Sequence, residues 1–241
     1  MVTEPTDKGP ATWVASLMEL LLPRACIGCG WEGRSWCADC VGVELEPTLH
    51  RPDPCPPGLP TLATAATYSG SVRNAVLAAK ERDRRELDRT LGGMLATAIG
   101  LLIASRSGQG QLSGPLWLVP VPASPAARRH RGRDHVSDWT EWAAHWLRAD
   151  NVAAQRVSAL RRARGGLDSV GLDASARALN LTGAFALEPV SPPLSGSLVV
   201  VVDDIVTTGA TLVAATACVT AGLDLDPAQL GAAVVAATQR R

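Results

Sequence analysis

The sequence predicts an α/β fold in which a parallel sheet is flanked by helices, with a small four-cysteine module at the N-terminus. Two apolar runs, 198–202 and 232–238, have the continuous hydrophobicity of strands buried on both faces of a sheet. Segments with helical spacing of apolar residues separate the predicted strands, as parallel pairing requires. The length of 241 residues allows one large core and one small accessory module.

Composition argues against several classes of protein. The formal net charge is zero, which disfavours a general nucleic-acid coat protein while allowing local basic patches. The first ten residues lack the basic start and apolar core of a secretory signal. The most apolar run, 91–104, is shorter than the ~18 apolar residues of a membrane span, so a buried helix is predicted. We therefore expect a cytoplasmic protein without a transmembrane segment.

The first chemical motif is a pair of CxxC sequences formed by Cys26, Cys29, Cys37 and Cys40. Four thiolates this close suit a tetrahedral Zn²⁺ ion, and Gly30 suits a tight turn after the second cysteine. The spacer GWEGRSW is too short to hold a core, so metal would supply the folding energy. Disulfides and a redox CxxC are the alternatives. A cytoplasmic location disfavours disulfides, and the doubled motif favours a structural metal site.

The flanking segments suggest a division of the chain. Residues 11–22 have the apolar spacing of a helix that docks on the main domain. The proline-rich segment 44–60, which carries Cys55, is predicted to be a linker. It separates an N-terminal helix and zinc-ribbon-like module, 1–43, from a main domain, 61–241.

Charged residues concentrate in two segments of the main domain. A helix over 71–87 mixes acids and bases, which is typical of a solvated face, so contact of Lys80 with phosphate is the less favoured interpretation. A strand over 116–119 leads into Pro120-Val121-Pro122, and the loop 123–135 after it is rich in arginine. Because ligands of α/β sheets gather beyond strand ends, an anion-binding loop is favoured over a merely exposed one.

The next helix, 134–149, carries Trp139, Trp142 and Trp146 at helical spacing. A tryptophan stripe could stack nucleobases, but a place in the core or at an interface with a partner protein is the more common role. A last strand, 232–238, closes the predicted sheet.

The segment LVVVVDDIVTTGAT, 198–211, combines a buried strand, two acids and a small-residue turn before a helix. The turn consists of Thr207, Thr208, Gly209, Ala210 and Thr211. Its free backbone N–H groups, threonine hydroxyls and helix dipole suit a phosphate. Asp203 and Asp204 would accept hydrogen bonds from a diol or bind Mg²⁺. A phosphate beside a diol describes a ribose 5-phosphate.

This segment resembles the signature with which type I phosphoribosyltransferases bind phosphoribosyl pyrophosphate (PRPP). Apolar residues, two acids, small residues and Thr-Gly follow one another in the family's order. The alternative is an Asp-rich turn with a threonine cap, but an ordinary helix cap needs only one such residue. The resemblance implies a type I phosphoribosyltransferase-like parallel sheet.

Over nearly the whole chain, the order of motifs resembles ComF-type proteins, which are bacterial competence-associated phosphoribosyltransferase-like proteins. The motifs are the four-cysteine module, Tyr68-Ser69-Gly70, VPVP, the Arg-Gly loop, the pair Arg177 and Asn180, and the PRPP signature. The chain departs from many relatives at Gly132-Arg133-Asp134-His135, where they have Gly-Phe-Asn-Gln.

The resemblance implies roles for particular residues. Asp203 and Asp204 would meet the ribose hydroxyls and Mg²⁺, and residues 207–211 would hold the 5-phosphate. The pyrophosphate site would be bordered by Val121 and Pro122. Two arginines, Arg129 and Arg131, would belong to the mobile loop.

Two functions are therefore expected, and the acceptor substrate cannot be read from either. The first is a phosphoribosyltransferase that transfers phosphoribosyl from PRPP with release of pyrophosphate. The second is a non-catalytic protein that binds PRPP, single-stranded DNA or both during DNA uptake or repair. A weaker third hypothesis is a PRPP-sensing regulator that contacts a protein through the helix of Trp139, Trp142 and Trp146.

Overall fold

The computed structural model describes residues 25–106, 114–163, 183–190 and 196–239. Its helices are α1 (Ala38–Glu44), α2 (Gly70–Glu81), α3 (Asp88–Ala104), α4 (Pro125–Arg131), α5 (His135–Ala149) and α6 (Ala210–Leu223). Its strands are β1 (Thr48–His50), β2 (Leu62–Thr67), β3 (Leu116–Pro120), β4 (Ala154–Arg156), β5 (Leu160–Arg162), β6 (Phe185–Leu187), β7 (Leu198–Val206) and β8 (Leu230–Ala237). The predicted helix over 11–22 lies outside the described residues.

Six strands form one sheet in the order β1-β2-β8-β7-β3-β4. Every neighbouring pair in it is parallel except β1 with β2, so the predicted parallel sheet flanked by helices is confirmed. Strands β5 and β6 form a separate antiparallel pair. The strand predicted to close the sheet, β8, lies in its middle between β2 and β7. Burial of β8 on both faces explains this position, because an edge strand leaves one side open to solvent.

The helices cover the two faces of the sheet and divide the core into two clusters. Val200 and Val202 of β7 pack with residues of α2, α3 and α5 on one face. Val199 and Val201 point to the other face and pack with residues of α6. This alternation follows from the two-residue period of a strand, and it decides where the acids at the end of β7 point.

Helix α3 is the buried helix predicted from the run 91–104. The stretch Arg85–Ala104 is long and apolar enough by composition to cross a membrane, but over half of it is buried inside the protein. Its Leu91, Leu95 and Leu102 lie in the first core cluster. Burial of such side chains contributes roughly 1.5–3 kcal/mol each, which accounts for the hydrophobicity by packing.

The segment predicted as a linker contributes to the fold. It contains β1, which extends the sheet next to β2, and the amide of Glu46 donates to the carbonyl of Ala65 at 2.9 Å. Pro52, further along, is buried. A proline-rich segment favours extended backbone, which suits an edge strand as well as a linker.

The small module and the main sheet are joined by a helix cap. Glu44, at the end of α1, accepts hydrogen bonds from the amide and the hydroxyl of Ser71 at 3.2 and 2.8 Å. These groups belong to the first turn of α2, whose amides have no partner within the helix. The carboxylate of Glu44 therefore caps α2 from outside, beside the positive end of its dipole.

Replacing Glu44 by alanine should lower the free energy of unfolding by about 1 kcal/mol, the usual value of a helix cap. Thermal and urea unfolding followed by circular dichroism would measure the loss. Glu46→Ala is the matched control, because the side chain of Glu46 is exposed and only its backbone is hydrogen-bonded to β2. Equal stability of the two variants would contradict the capping role.

Candidate functional site

The four cysteines of the N-terminal module converge. The sulfur atoms of Cys26, Cys29, Cys37 and Cys40 all lie within 4.8 Å of one another. The turn after Cys29 is made by Gly30 at φ 78°, a left-handed conformation that glycine adopts without strain. Four thiols at these distances could hold a structural metal ion such as zinc, whose preferred geometry is a tetrahedron of sulfurs.

The surroundings of Cys26 in this module lower the pKa of its thiol and favour the thiolate. Burial alone would raise the pKa of Cys26, but hydrogen bonds from backbone amides, including those of Cys29 and Cys37, lower it to about 6. The Cys37 amide lies 3.3 Å from the Cys26 sulfur. In contrast, a hydrogen bond with Cys37 and partial burial raise the pKa of Cys40 to about 12. A bound cation would be needed to ionise all four thiols.

A second cluster of polar side chains lies at the carboxyl end of β7, where Asp203 and Asp204 point to opposite faces of the sheet. Asp204 continues the row of Val200 and Val202, and Asp203 continues that of Val201. The two carboxylates therefore lie in different surroundings.

Asp204 is buried and bonded within the protein. Its Oδ2 accepts hydrogen bonds from Lys80, on α2, and from Nε2 of His135 at 3.0 Å, on α5. Its Oδ1 accepts from the amide of Ile205 at 2.6 Å. Burial opposes ionisation, but the bond from His135 and the charge of Lys80 outweigh it and hold the pKa of Asp204 below its usual range.

Asp203 faces more open space. Its Oδ1 accepts from the amide of Asp204 at 2.9 Å, and its Oδ2 has no hydrogen-bond partner in the part of the chain that the structure describes. Burial and the neighbouring Asp204 charge raise the pKa of Asp203 well above its usual range, although Lys80 and Arg162 partly offset them. A cation bound at this carboxylate would offset its burial and the charge of Asp204, and would favour its ionised form.

The small-residue turn after β7 forms an open cradle. Thr207 is exposed and Thr208 is half-buried, and their amides donate to no group among the described residues. The hydroxyl of Thr208 accepts a long bond of 3.4 Å from the amide of Ala210. Helix α6 begins there, so the amides of Ala210 and Thr211 point out of its first turn. This geometry can accept an anion.

Gly209 is required at the centre of the cradle. Its φ is 78°, and a Cβ there would lie 3.3 Å from side-chain atoms of both Pro56 and Leu59. The proline-rich segment thus packs directly behind the turn.

The segment after β3 lies beside the same end of the sheet. Val121 is buried, and its amide donates to the carbonyl of Val202 on β7 at 2.8 Å. The carbonyl of Pro122 accepts from Nε of Arg162 at 3.1 Å. Both residues assigned to the border of a pyrophosphate site are therefore near the end of β7.

Part of the predicted arginine loop is helix α4. Ser124 caps it by accepting from the amide of Ala127 at 3.1 Å, and Gly132 ends it at φ 70°. Arg129 is exposed, whereas Arg131 is bound to Glu81 at 2.7 Å. The Ser-Pro start and glycine end are ordinary helix signals that the arginine content obscured.

Arg133 anchors this segment to the core. Its guanidinium contacts both oxygens of buried Asp88, with Nη2 2.8 Å from Oδ1. The same oxygen accepts from the indole of Trp139 at 2.7 Å. Trp142 and Trp146 lie between α5 and α3, with the guanidinium of Arg89 at 5.8 and 4.9 Å from their rings, and the indole of Trp146 donates to the carbonyl of Arg89 at 3.2 Å. Their predicted contact with a partner protein stays a prediction.

Sequence reasoning missed Lys80 and His135 as members of the site. Lys80 was hidden among the mixed charges of its helix, and nothing local indicates that it points inward. His135 stands within the departure from the Gly-Phe-Asn-Gln pattern, which was the available signal. The pair Arg177 and Asn180 lies outside the described residues.

Comparison with known proteins places the chain in a family. No family model matches it. The DNA utilization protein YhgH of Salmonella typhimurium (strain LT2) is 31% identical over 186 residues, covering 74% of this chain and 74% of that protein. The chain belongs to the ComF-like family. In this ComF-like protein, the four-cysteine cluster and the end of β7 are two places where chemically active side chains converge.

Proposed function

We propose that this ComF-like protein binds PRPP with Mg²⁺ and transfers phosphoribosyl to an acceptor with release of pyrophosphate. The observation that carries the proposal is the carboxylate of Asp203, whose Oδ2 has no hydrogen-bond partner among the described residues, beside the amides of Thr207 and Thr208, which donate to no described group. A carboxylate and an anion cradle at the end of one strand fit the two ends of a sugar phosphate.

Each part of the site has a role in this proposal. The cradle holds the 5-phosphate, and Asp203 accepts from a ribose hydroxyl. One carboxylate plus substrate oxygens is a common donor set for Mg²⁺, which would neutralise charge on the leaving pyrophosphate. Asp204, held by Lys80 and His135 on the opposite face of the sheet, has a structural role and fixes the end of β7 that carries Asp203.

The cysteine cluster takes zinc in this proposal and has a structural role. Its four sulfurs would supply all the ligands that structural zinc usually takes and would leave no position for substrate. Zinc thereby folds the module that carries Glu44, which caps α2, the helix of Lys80.

Calorimetric titration with PRPP tests the proposal. We expect saturable binding in the presence of Mg²⁺ that weakens strongly when EDTA replaces the metal. Pyrophosphate release would then be measured against a panel of nucleobases and amines. Absence of binding in the presence of Mg²⁺ would reject the proposal, whereas binding without turnover on any acceptor would favour the non-catalytic function.

A second function is favoured by the family. The relative is named a DNA utilization protein, and we infer that this chain binds single-stranded DNA during DNA uptake. Exposed arginines such as Arg128 and Arg129 support it, although the net charge of zero confines the contact to a local surface. Such binding should weaken steeply as salt is added, since bound phosphates release counterions. An affinity insensitive to salt would count against it.

A further inference from the structure

An apolar groove runs along the outer side of α3, on the face of the sheet opposite to that covered by α6. It has a volume of about 770 Å³, and its lining includes Gly93, Thr97, Gly100 and Leu101 of α3, Trp146 of α5, and Pro47. We propose, independently of the functions proposed above, that the segment 11–22 of this chain docks in this α3 groove as a helix.

Helix α3 has the composition of a helix that is covered on every side. The run 90–104 contains no charged residue. Its inner side is buried in the core, yet Thr97 and Ala104 are exposed, and Leu101 and Ile103 are only half-buried. Because a helix that is hydrophobic all round normally lies inside a protein, the outer side of α3 favours an apolar partner over water.

The polar groups that line the α3 groove already have partners. The hydroxyl of Thr97 donates to the carbonyl of Gly93 at 3.1 Å within α3. The indole of Trp146 donates to the carbonyl of Arg89 at 3.2 Å. The carboxylate of Asp150, which also lines the groove, belongs to an exposed residue beyond the end of α5. These walls therefore suit apolar side chains that make no hydrogen bonds.

The segment 11–22 has the length and the pattern that the α3 groove requires. Its twelve residues would form a helix of about 18 Å, and the groove follows α3 over the equally long stretch 93–104. A Cβ on Gly100 would meet no atom within 4 Å, so a second helix has room to approach α3 there. The helical spacing of the segment predicts one apolar side. That side consists of Trp13, Val14, Leu17, Met18 and Leu21.

The point of attachment lies on the same side of the sheet as the α3 groove. The described chain begins at Ala25, two residues after the segment and its following proline-arginine pair begin to separate them. Cys26 is buried in the core cluster that contains α3, and its sulfur lies within 4.8 Å of that of Cys40. Pro47, on the wall of the groove, follows Cys40 by seven residues, four of them in α1, so these two lie at most about 16 Å apart. A helix of about 18 Å can span this separation.

A second apolar groove, of about 620 Å³, runs along α6 and is lined by residues that include Ala217 and Phe185. Helix α6 packs on the other face of the sheet, whereas the residues that follow the segment pack with α3. The two residues that link the segment to Ala25 span roughly 10 Å at most. The attachment therefore favours the α3 groove over the α6 groove.

Photo-crosslinking of the full chain tests the proposal. The protein contains three methionines, Met1, Met18 and Met94, and Met18 lies on the predicted apolar side of the segment. Protein produced with photo-methionine would be irradiated, and its crosslinked peptides would be mapped by mass spectrometry. We expect crosslinks from Met18 to residues of 93–104 or 146–152. The buried Met94 provides a positive control for the irradiation, since it contacts its core neighbours in either case.

Met18→Leu is the matched control, because it keeps an apolar side chain while removing the reactive group, and the expected crosslinks should disappear. A mixture of isotopically labelled and unlabelled chains distinguishes contacts within one chain from contacts between copies. Three results would overturn the proposal: crosslinks from Met94 without any from Met18 to the α3 groove, crosslinks from Met18 to α6, or crosslinks to the α3 groove that join two copies.

Thermal unfolding provides a second measurement. Leu17→Ser weakens the segment, and Thr97→Lys places a charge in the α3 groove at an exposed position. Each variant should lower the melting temperature by about 2–4 °C. The double variant should lose little more than the larger single loss, because either substitution already releases the segment. Ser16→Ala, on the predicted polar side, should melt like the wild type. Fully additive losses, or no loss in Leu17→Ser, would contradict the docking.

Discussion

Replacing Cys37 by serine should abolish the zinc binding proposed for the four-cysteine cluster and unfold the N-terminal module. The hydroxyl of serine is a poor ligand for this metal, and Cys37 is the cysteine whose sulfur lies 3.7 and 3.8 Å from those of Cys26 and Cys29. Structural zinc contributes about 10–16 kcal/mol of apparent binding energy in small modules, which a short spacer cannot replace by packing. Elemental analysis should find about one zinc ion per wild-type chain and almost none in the variant.

The loss of stability should extend from the N-terminal module to the main domain. Cys26 and Trp36 are buried in the same core cluster as α2 and α3, and Glu44 caps α2. We therefore expect a lowered melting temperature for the main domain as well. Cys55→Ser is the control, since Cys55 lies outside the four-sulfur cluster. An unchanged zinc content in Cys37→Ser would contradict the structural site.

Much of the architecture follows from local sequence. The run of valines before Asp203 is apolar on both faces, so only a central strand could bury it, and β7 is central. The cysteine spacing predicted a cluster because both pairs lie within one short segment, where few conformations are available. Such features depend on neighbours along the chain.

The position of β8 and the partners of Asp204 depend on residues far apart in sequence. The hydrophobic pattern of a strand indicates that the strand is buried, but it does not indicate which strands lie beside it. Lys80 and His135 meet Asp204 only because α2 and α5 cover the same face of the sheet. Asp203 and Asp204 were expected to share one role toward the ribose and Mg²⁺, although adjacent strand residues point to opposite faces of a sheet.

Replacing Asp203 by asparagine should weaken PRPP binding strongly while making the folded protein more stable at neutral pH. The variant keeps the shape of the side chain but removes the charge that the proposed Mg²⁺ and ribose contacts use. We expect the affinity for PRPP with Mg²⁺ to fall about 100-fold, the size of one or two charge-assisted contacts. Calorimetry measures this loss.

The gain in stability follows from the raised pKa of Asp203 in the folded state. Below the usual pKa of aspartate, Asp203 is protonated in both the folded and the unfolded chain, and its contribution to stability is fully present. As pH rises through the folded-state pKa, that stability is lost, because folding holds a proton that the unfolded chain releases. Asparagine does not titrate, so the stability advantage of the variant over the wild type should grow as pH rises above the usual pKa of aspartate.

Asp204→Asn is the matched variant, one residue away on the opposite face, and its stability should change in the other direction. The low pKa of Asp204 means that its stabilisation is present above the usual pKa of aspartate and is lost only as pH falls. At neutral pH the substitution leaves the charge of Lys80 uncompensated beside His135 and should cost about 3 kcal/mol. Urea unfolding without Mg²⁺ at several pH values measures both variants. Changes of the same sign would show that the two carboxylates share one environment, and the division of roles between a ligand-facing Asp203 and a structural Asp204 would then fail.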